Sequence, residues 1–259
     1  MKYTRKLVLG AVAAAFLAWG GQAQATAVDV ELQLLVDVSG SVSSSGNPSE
    51  FELQRTGYSD AFRSQSIKDA ITGGSLGKIA AQLIYWSDDQ AIGVDWMEIG
   101  SDAESEAFAD KIDNANRPFF GNTGPGSAIN FGYPLFQENG FEGSSLVMDV
   151  SGDGTQNTGA DTSDARDAAL DAGIDRINGI AIGGSSNVES FYQDHIIGGS
   201  DSFLLTADTF GDFSTAIAQK LRAEIGGGTP SVPEPATLGM FGIGLAGLGF
   251  AARRRRKTA

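Results

Sequence analysis

The sequence predicts an α/β fold built on a largely parallel β-sheet. Two observations carry this expectation. Short apolar runs of strand character alternate with segments whose apolar residues recur at helical spacing. The runs give way to polar loops rich in serine, glycine and aspartate, and ligands bind outside the carboxyl ends of strands in such sheets.

The elements follow in chain order. Val28 to Val36 (VDVELQLLV) reads as the first strand. Ser49-x-x-Glu52 is a capping-box pattern, and Phe51, Tyr58 and Phe62 then recur at helical spacing. Lys78 to Trp86 (KIAAQLIYW) is the next strand, and Asp88-Asp89-Gln90 turns it into a hairpin partner, Ala91 to Ile99. Ser101-x-x-Glu104 opens a helix carrying Ala107, Phe108 and Ile112. Ser144 to Val150 (SSLVMDV) is a buried strand, and Ala165 to Ala172 a helix behind the capping residues Asp161 to Ser163. Asp175 to Ile182 and Ser202 to Leu205 are the last strands. Phe210, Phe213, Ile217, Leu221 and Ile225 form a closing helical stripe that ends at Gly226.

The chain has 259 residues, enough for one domain of about 200 residues plus appendages. It contains no cysteine, which excludes disulfides, thiolate zinc sites and cysteine nucleophiles. The single histidine, His195, excludes a multi-histidine metal site. The formal net charge is −14, but the two ends carry much of the basic charge. Without residues 1–25 and 233–259, 10 basic and 31 acidic residues remain, a net charge of about −21. Such a surface repels polyanions, so nucleic acid is not an expected partner.

Both ends carry address signals. MKYTRK, then LVLGAVAAAFLAWG, then Ala23-Gln24-Ala25 make a secretory signal peptide over residues 1–25, with cleavage expected after Ala25. A retained membrane helix is the alternative, for which the apolar run is short. Residues 26–226 are the expected folded domain, and residues 227–232 a flexible linker. Residues 233–259 hold Pro233-Glu234-Pro235, an apolar stretch from Ala236 to Ala252, and then Arg253, Arg254, Arg255, Arg256 and Lys257. This tripartite tail resembles the PEP-CTERM sorting signal of Gram-negative bacteria. The resemblance implies recognition by an exosortase, removal of the tail, and delivery to the cell surface or extracellular matrix. The membrane would then be met only transiently, as an inner-membrane anchor through the C-terminal helix. An ordinary C-terminal anchor is the alternative, and either one places residues 26–232 outside the cytoplasm.

Three separated loops carry the candidate chemistry. The first strand ends in Asp37-Val38-Ser39-Gly40-Ser41, where one carboxylate and two hydroxyls alternate in a tight turn and can point to one spot. Hard cations such as Mg²⁺ take oxygen ligands of this kind. A helix cap or turn would explain this pattern taken alone. Thr123 precedes a glycine-rich turn into a helix, and is either a further oxygen ligand or that helix's cap. Asp153 follows the strand SSLVMDV between Gly152 and Gly154, which let the backbone bend close to a ligand.

D-x-S-x-S, then T-x-x-G-x-A-I, then an aspartate after a buried strand are similar in type and order to the metal-ion-dependent adhesion site of von Willebrand factor A domains. Asp37, Ser39 and Ser41 match the first motif, Thr123 the second and Asp153 the third. FELQRTGYSDAF from Phe51, DVSGDG from Asp149, INGIAI from Ile177 and Ile197-Gly198-Gly199 resemble a bacterial subfamily of unknown function. The likeness spans about residues 28–226. It implies a Rossmann-like, doubly wound, mostly parallel sheet with helices on both faces. It also implies a bound divalent cation, Mg²⁺ foremost with Mn²⁺ or Ca²⁺ as alternatives.

One departure stands out: the third loop reads Ser151-Gly152-Asp153-Gly154 where common A domains have Thr-Asp-Gly. Asp149 lies four residues earlier, inside the strand; it is an acceptor supporting the site or, as preferred here, a group hydrogen-bonded in the core.

The expected function is a metal-dependent adhesion or binding module. Only two of its five ligands are charged, so the cation can accept an acidic group from an extracellular protein or polysaccharide. A metal-assisted hydrolase is a second class, with His195 as the candidate base. No G-x-S-x-G or H-E-x-x-H motif supports it. A purely structural matrix component is a third.

Overall fold

The computed structural model describes residues 25–228 apart from Ser44, Asn47 and Glu138. The segment before residue 25, expected to be a signal peptide, and the sorting tail, with Pro233, Glu234, Pro235 and Arg253 to Arg256, lie outside the described residues.

The chain first extends as β1 (Thr26–Val28) and, after a break, as β2 (Glu31–Asp37). A single strand over Val28 to Val36 is therefore not what forms. The break falls at Asp29, whose carboxylate accepts hydrogen bonds from Leu76 N (2.9 Å) and Lys78 N (3.3 Å). β2 is buried along its whole length, as a central parallel strand must be.

The capping box forms as the sequence predicts. Ser49 Oγ accepts from Glu52 N, the Glu52 carboxylate accepts from Ser49 N, and α1 (Glu50–Arg63) follows. Ser64 caps α2 (Gln65–Thr72), an element additional to those predicted. β3 (Ile79–Trp86) and β4 (Gln90–Ile99) form the expected antiparallel hairpin, and Ser101 caps α3 (Asp102–Asn114). α4 (Pro125–Gly132) leads into a 3₁₀ turn over residues 133–136.

β5 (Phe141–Gly143) pairs with β1 in a small parallel sheet, and β6 (Leu146–Gly152) follows. Asp161 caps α5 (Thr162–Asp171), which begins three residues before the predicted helix. β7 (Arg176–Ile182) precedes α6 (Ser186–Phe191), whose chain widens into a π-turn over residues 192–196. β8 (Gly198–Gly199), β9 (Leu204–Ala207) and α7 (Phe213–Gly226) complete the fold. Gly227, at φ 70°, takes the left-handed cap of α7, one residue later than expected.

The main sheet has the order β4-β3-β2-β6-β7, with β8 and β9 both against the outer edge of β7. Only β4 and β8 run antiparallel. Side chains of β2 alternate between two layers. Leu32, Leu34 and Val36 join Tyr58, Phe62, Phe108, Phe213 and Ile217 from α1, α3 and α7. Leu35 joins Ala128, Ile129 and Ala165 from α4 and α5 on the other face. Each leucine, isoleucine, valine and phenylalanine among them contributes about 1.5–3 kcal/mol by burial. The parallel strands all end at one edge of the molecule, and the three candidate loops lie there.

Candidate metal centre

Asp37 is the last residue of β2 and faces Trp86 of β3 across the ladder. On the other side Val36 is level with Ser151 of β6, so the loops after β2 and β6 leave the sheet side by side. Asp37 is fully buried. Its Oδ1 accepts from Ser39 N at 2.7 Å, while its Oδ2 is buried without a hydrogen-bond partner. The hydroxyls of Ser39 and Ser41 lie 3.1 Å apart, and Ser41 Oγ donates to Asp153 Oδ1 at 2.6 Å. Gly40, between the two serines, donates its N–H to Gly121 O at 2.8 Å, which draws in the loop before Thr123.

The glycines flanking Asp153 permit this convergence. A Cβ on Gly152 would sit 2.6 Å from both Asp37 Oδ2 and the Tyr192 hydroxyl; a Cβ on Gly154 would sit 3.3 Å from Thr123 Oγ1. The structure thus brings Asp37, Ser39, Ser41 and Asp153 into one bonded chain and places Thr123 against the backbone beside Asp153. Thr123 does not cap α4. Gly124 holds that position without a side-chain bond, and Thr123 N donates to Asn157 Oδ1 at 2.8 Å.

Several supporting residues lie outside the three loop motifs. Gln54 Nε2 donates to Asp37 O at 2.8 Å. Arg117 donates to Val38 O (2.6 Å), Ser39 O (2.7 Å) and Val42 O (2.8 Å), holding the first loop from beneath. The Tyr58 hydroxyl donates to Ser151 Oγ at 3.1 Å, and Ser151 Oγ reaches Gln54 Oε1 at 3.4 Å. Gln54 had a legible signal, because a polar residue three after Phe51 and four before Tyr58 shares their buried stripe. Arg117 had none, since its partners are backbone carbonyls distant in sequence.

The electrostatics match an oxygen cluster short of positive charge. Burial raises Asp37 to about 7 and neighbouring Asp153 adds to this, against the opposing bonds from Ser39. Burial also raises Asp153, against the bond from Ser41. Burial, then Asp37 and Asp153, push the Tyr192 hydroxyl well above its usual value. Among the described residues no group of three or more His, Asp or Glu could hold a metal, so any cation here depends on hydroxyl ligands.

Beside this cluster stands Phe120, 63% exposed, with the Arg117 guanidinium 3.9 Å from its ring centroid. His195 lies elsewhere: its Nδ1 shares a 2.8 Å hydrogen bond with Ser163 Oγ and its ring packs on Phe191. Asp149 is in the core, as expected. Its partner there is Lys220 of α7, whose Nζ lies 2.5 Å from Asp149 Oδ1.

The fold is that of von Willebrand factor A domains. A von Willebrand factor type A protein from Catenulispora acidiphila superposes with TM-score 0.57 at 10% identity, covering 77% of this chain and 43% of that one. Proximal thread matrix protein 1 from the mussel byssus gives 0.56 at 16%, covering 78% and 47%. The pilus adhesin SpaC from Lactobacillus rhamnosus GG gives 0.55 at 16%, covering 78% and 31%. A further structure of the byssus protein, at TM-score 0.55, is described as having a zinc-occupied MIDAS motif. This chain thus spans less than half the length of these proteins. The chain belongs to the family described as "Protein of unknown function (DUF1194)", whose model matches residues 27–229. The PEP-CTERM protein-sorting motif matches residues 231–256 and indicates export in Gram-negative bacteria. A comparison with curated proteins finds no significant match.

Proposed function

We propose that this protein is an exported, metal-dependent binding module. Asp37, Ser39, Ser41, Thr123 and Asp153 hold a divalent cation, Mg²⁺ as first choice, and through it the protein engages an acidic group on a surface or matrix partner. One observation carries the reading: a buried carboxylate oxygen, Asp37 Oδ2, has no hydrogen-bond partner beside linked oxygens of two loops, with Thr123 of a third loop against Gly154. An unpaired buried charge is costly, and a hard cation with oxygen ligands is its natural complement. When bound, the cation supplies a local positive charge on an otherwise acidic surface. The residues do the rest: Gln54 and Arg117 fix the first loop, and the glycines beside Asp153 leave room for close approach.

The printed names of an adhesin and a thread matrix protein among similar folds favour binding over catalysis. His195, occupied by Ser163 and Phe191, gives the hydrolase alternative no support. Phe120 adds an apolar shoulder, which favours a partner carrying an apolar side chain next to its acidic one. The sorting motif supports a mature form that lacks Arg253 to Lys257 and resides at the cell surface or matrix; the basic, apolar and A-x-A pattern of residues 1–25 supports a start near Thr26.

The decisive experiment is a pull-down from producing cells with and without EDTA, repeated with Asp37→Ala. Capture should be lost in both tests and survive raised salt, because long-range charge between two acidic partners is repulsive. Capture that persists in EDTA and in the variant would place the contact elsewhere.

A further inference from the structure

Lys220 is fully buried, and so are both of its acidic neighbours. Its Nζ lies 2.5 Å from Asp149 Oδ1 on β6 and 2.5 Å from Glu224 Oε1 one turn along α7. Asn178 Nδ2 donates to the same Glu224 oxygen at 2.8 Å, and Asn178 Oδ1 accepts from Phe203 N at 3.0 Å. The Phe203 ring covers the ammonium at 5.8 Å. Tyr58 and Tyr192 lie within electrostatic reach, both without a net charge.

Read as ions, this cluster is poorly satisfied. One cation faces two anions in a dry core, which leaves a net negative charge. Both Asp149 oxygens and Glu224 Oε2 have no hydrogen-bond partner, although Nζ touches Asp149 Oδ1. That contact sets an amine against a carboxyl group, with a second carboxyl beside both and water excluded. This is the arrangement that amide formation requires.

We propose that Lys220 and Asp149 become joined by an intramolecular isopeptide bond, with Glu224 carrying the protons. The starting forms are the Lys220 ammonium, a neutral Asp149 carboxyl and a Glu224 carboxylate. Glu224 takes one proton from Nζ and frees its lone pair. Nζ attacks Asp149 Cγ, and the N–C bond forms as Glu224 relays a second proton from nitrogen to oxygen. One C–O bond of Asp149 then breaks, and Glu224 protonates the departing oxygen while taking the proton of the oxygen that stays. The products are an amide, one water and a neutral Glu224. Atoms and charge balance with no outside oxidant or co-reactant, and no ion is left in the core.

The electrostatics agree with these roles. Burial, reinforced by Asp149, raises Glu224 to about 7, so it both accepts and returns a proton near neutrality. Burial likewise raises Asp149, against the lowering effect of Lys220. The bond would pin α7 to the central strand that leads to Asp153, and it does not depend on a cation being bound.

Mass spectrometry of the full-length expressed chain tests this directly. The denatured protein should be lighter by one water than its processed sequence. The tryptic peptide ending at Arg166 should be joined to the one ending at Arg222, with Lys220 uncut and the join mapped to Asp149. Glu224→Gln should give the linear mass. Wild-type protein at its full linear mass would overturn the proposal even if every variant misfolds. A join to Asn178 with loss of ammonia would overturn the assignment to Asp149, and undiminished joining in Glu224→Gln would overturn the proton carrier.

Discussion

Asp37 and Asp153 lie among serine hydroxyls where the sheet opens to solvent; Asp149 and Glu224 lie under α7 with Lys220 between them. Burial raises all four carboxyl groups. In the first pair Asp37 is buried, but Asp153 is half-buried and Ser41 beside it exposed, so a compensating charge can come and go as a dissolved cation. The second pair is sealed by Phe203 and the α7 layer, so its partner, Lys220, had to be built into the chain. Access to water thus separates two clusters of similar composition: one suits reversible binding, the other permanent structure.

Mutating the sealed cluster should have the largest effect. Lys220→Met leaves two buried carboxyl groups without their lysine partner and should cost about 3–5 kcal/mol of folding stability. That corresponds to a fall in Tm on the order of 10 °C, read by thermal melting without metal. A change within 2 °C, of the order expected of a surface site, would remove the contrast between the clusters.

The open cluster should behave in the opposite way. Asp37→Ala deletes a buried, partly unpartnered carboxylate, so the cation-free protein should melt near the wild-type temperature. What it should lose is the stabilisation by Mg²⁺, about 2.7 kcal/mol in the wild type at a hundredfold excess over Kd. Melts of both proteins in Mg²⁺ and in EDTA measure this; a Mg²⁺ shift retained in the variant would contradict the ligand assignment.

Solution pH sharpens the comparison further. Glu224 is raised in the folded protein, so between its unfolded value near 4.5 and about 7 the folded state holds more protons than the unfolded one. Its contribution to stability therefore falls as pH rises through that window and levels off above it. Glu224→Gln should flatten the decline in Tm between pH 5 and 7.5, whereas an unchanged slope would assign the decline to other groups.

The smallest effect is expected at the rim. Phe120→Ala should leave stability within about 0.5 kcal/mol of wild type, because its ring is mostly exposed. Mg²⁺ affinity should be unchanged, and capture of the partner several-fold weaker. Equal capture by both proteins would remove Phe120 from the binding face.

Much of the fold was legible in local pattern. The Ser49/Glu52 box fixes the start of α1 because both partners lie within one helical turn. The β3–β4 hairpin was readable from a turn between two apolar runs. Asp29 was not readable as a strand breaker, since its partners Leu76 and Lys78 come from a distant loop. The candidate metal loops were readable because residue types and glycines recur at short spacing within each one.

The buried triad lay half in view. Ile217, Lys220, Leu221, Glu224 and Ile225 share one helical face, so periodicity alone puts two charges at buried positions. Strand alternation puts Val147, Asp149 and Ser151 on one face of β6. The sequence by itself therefore determined which residues share a face, which loops carry oxygen side chains and where the sorting motif lies. Only the tertiary structure decided that the α7 face meets Asp149, that Gln54 and Arg117 hold the Asp37 loop, and that Thr123 lies against Gly154. Periodicity acts along one element, whereas these contacts join elements far apart in the chain, and their partners are set by how the layers pack.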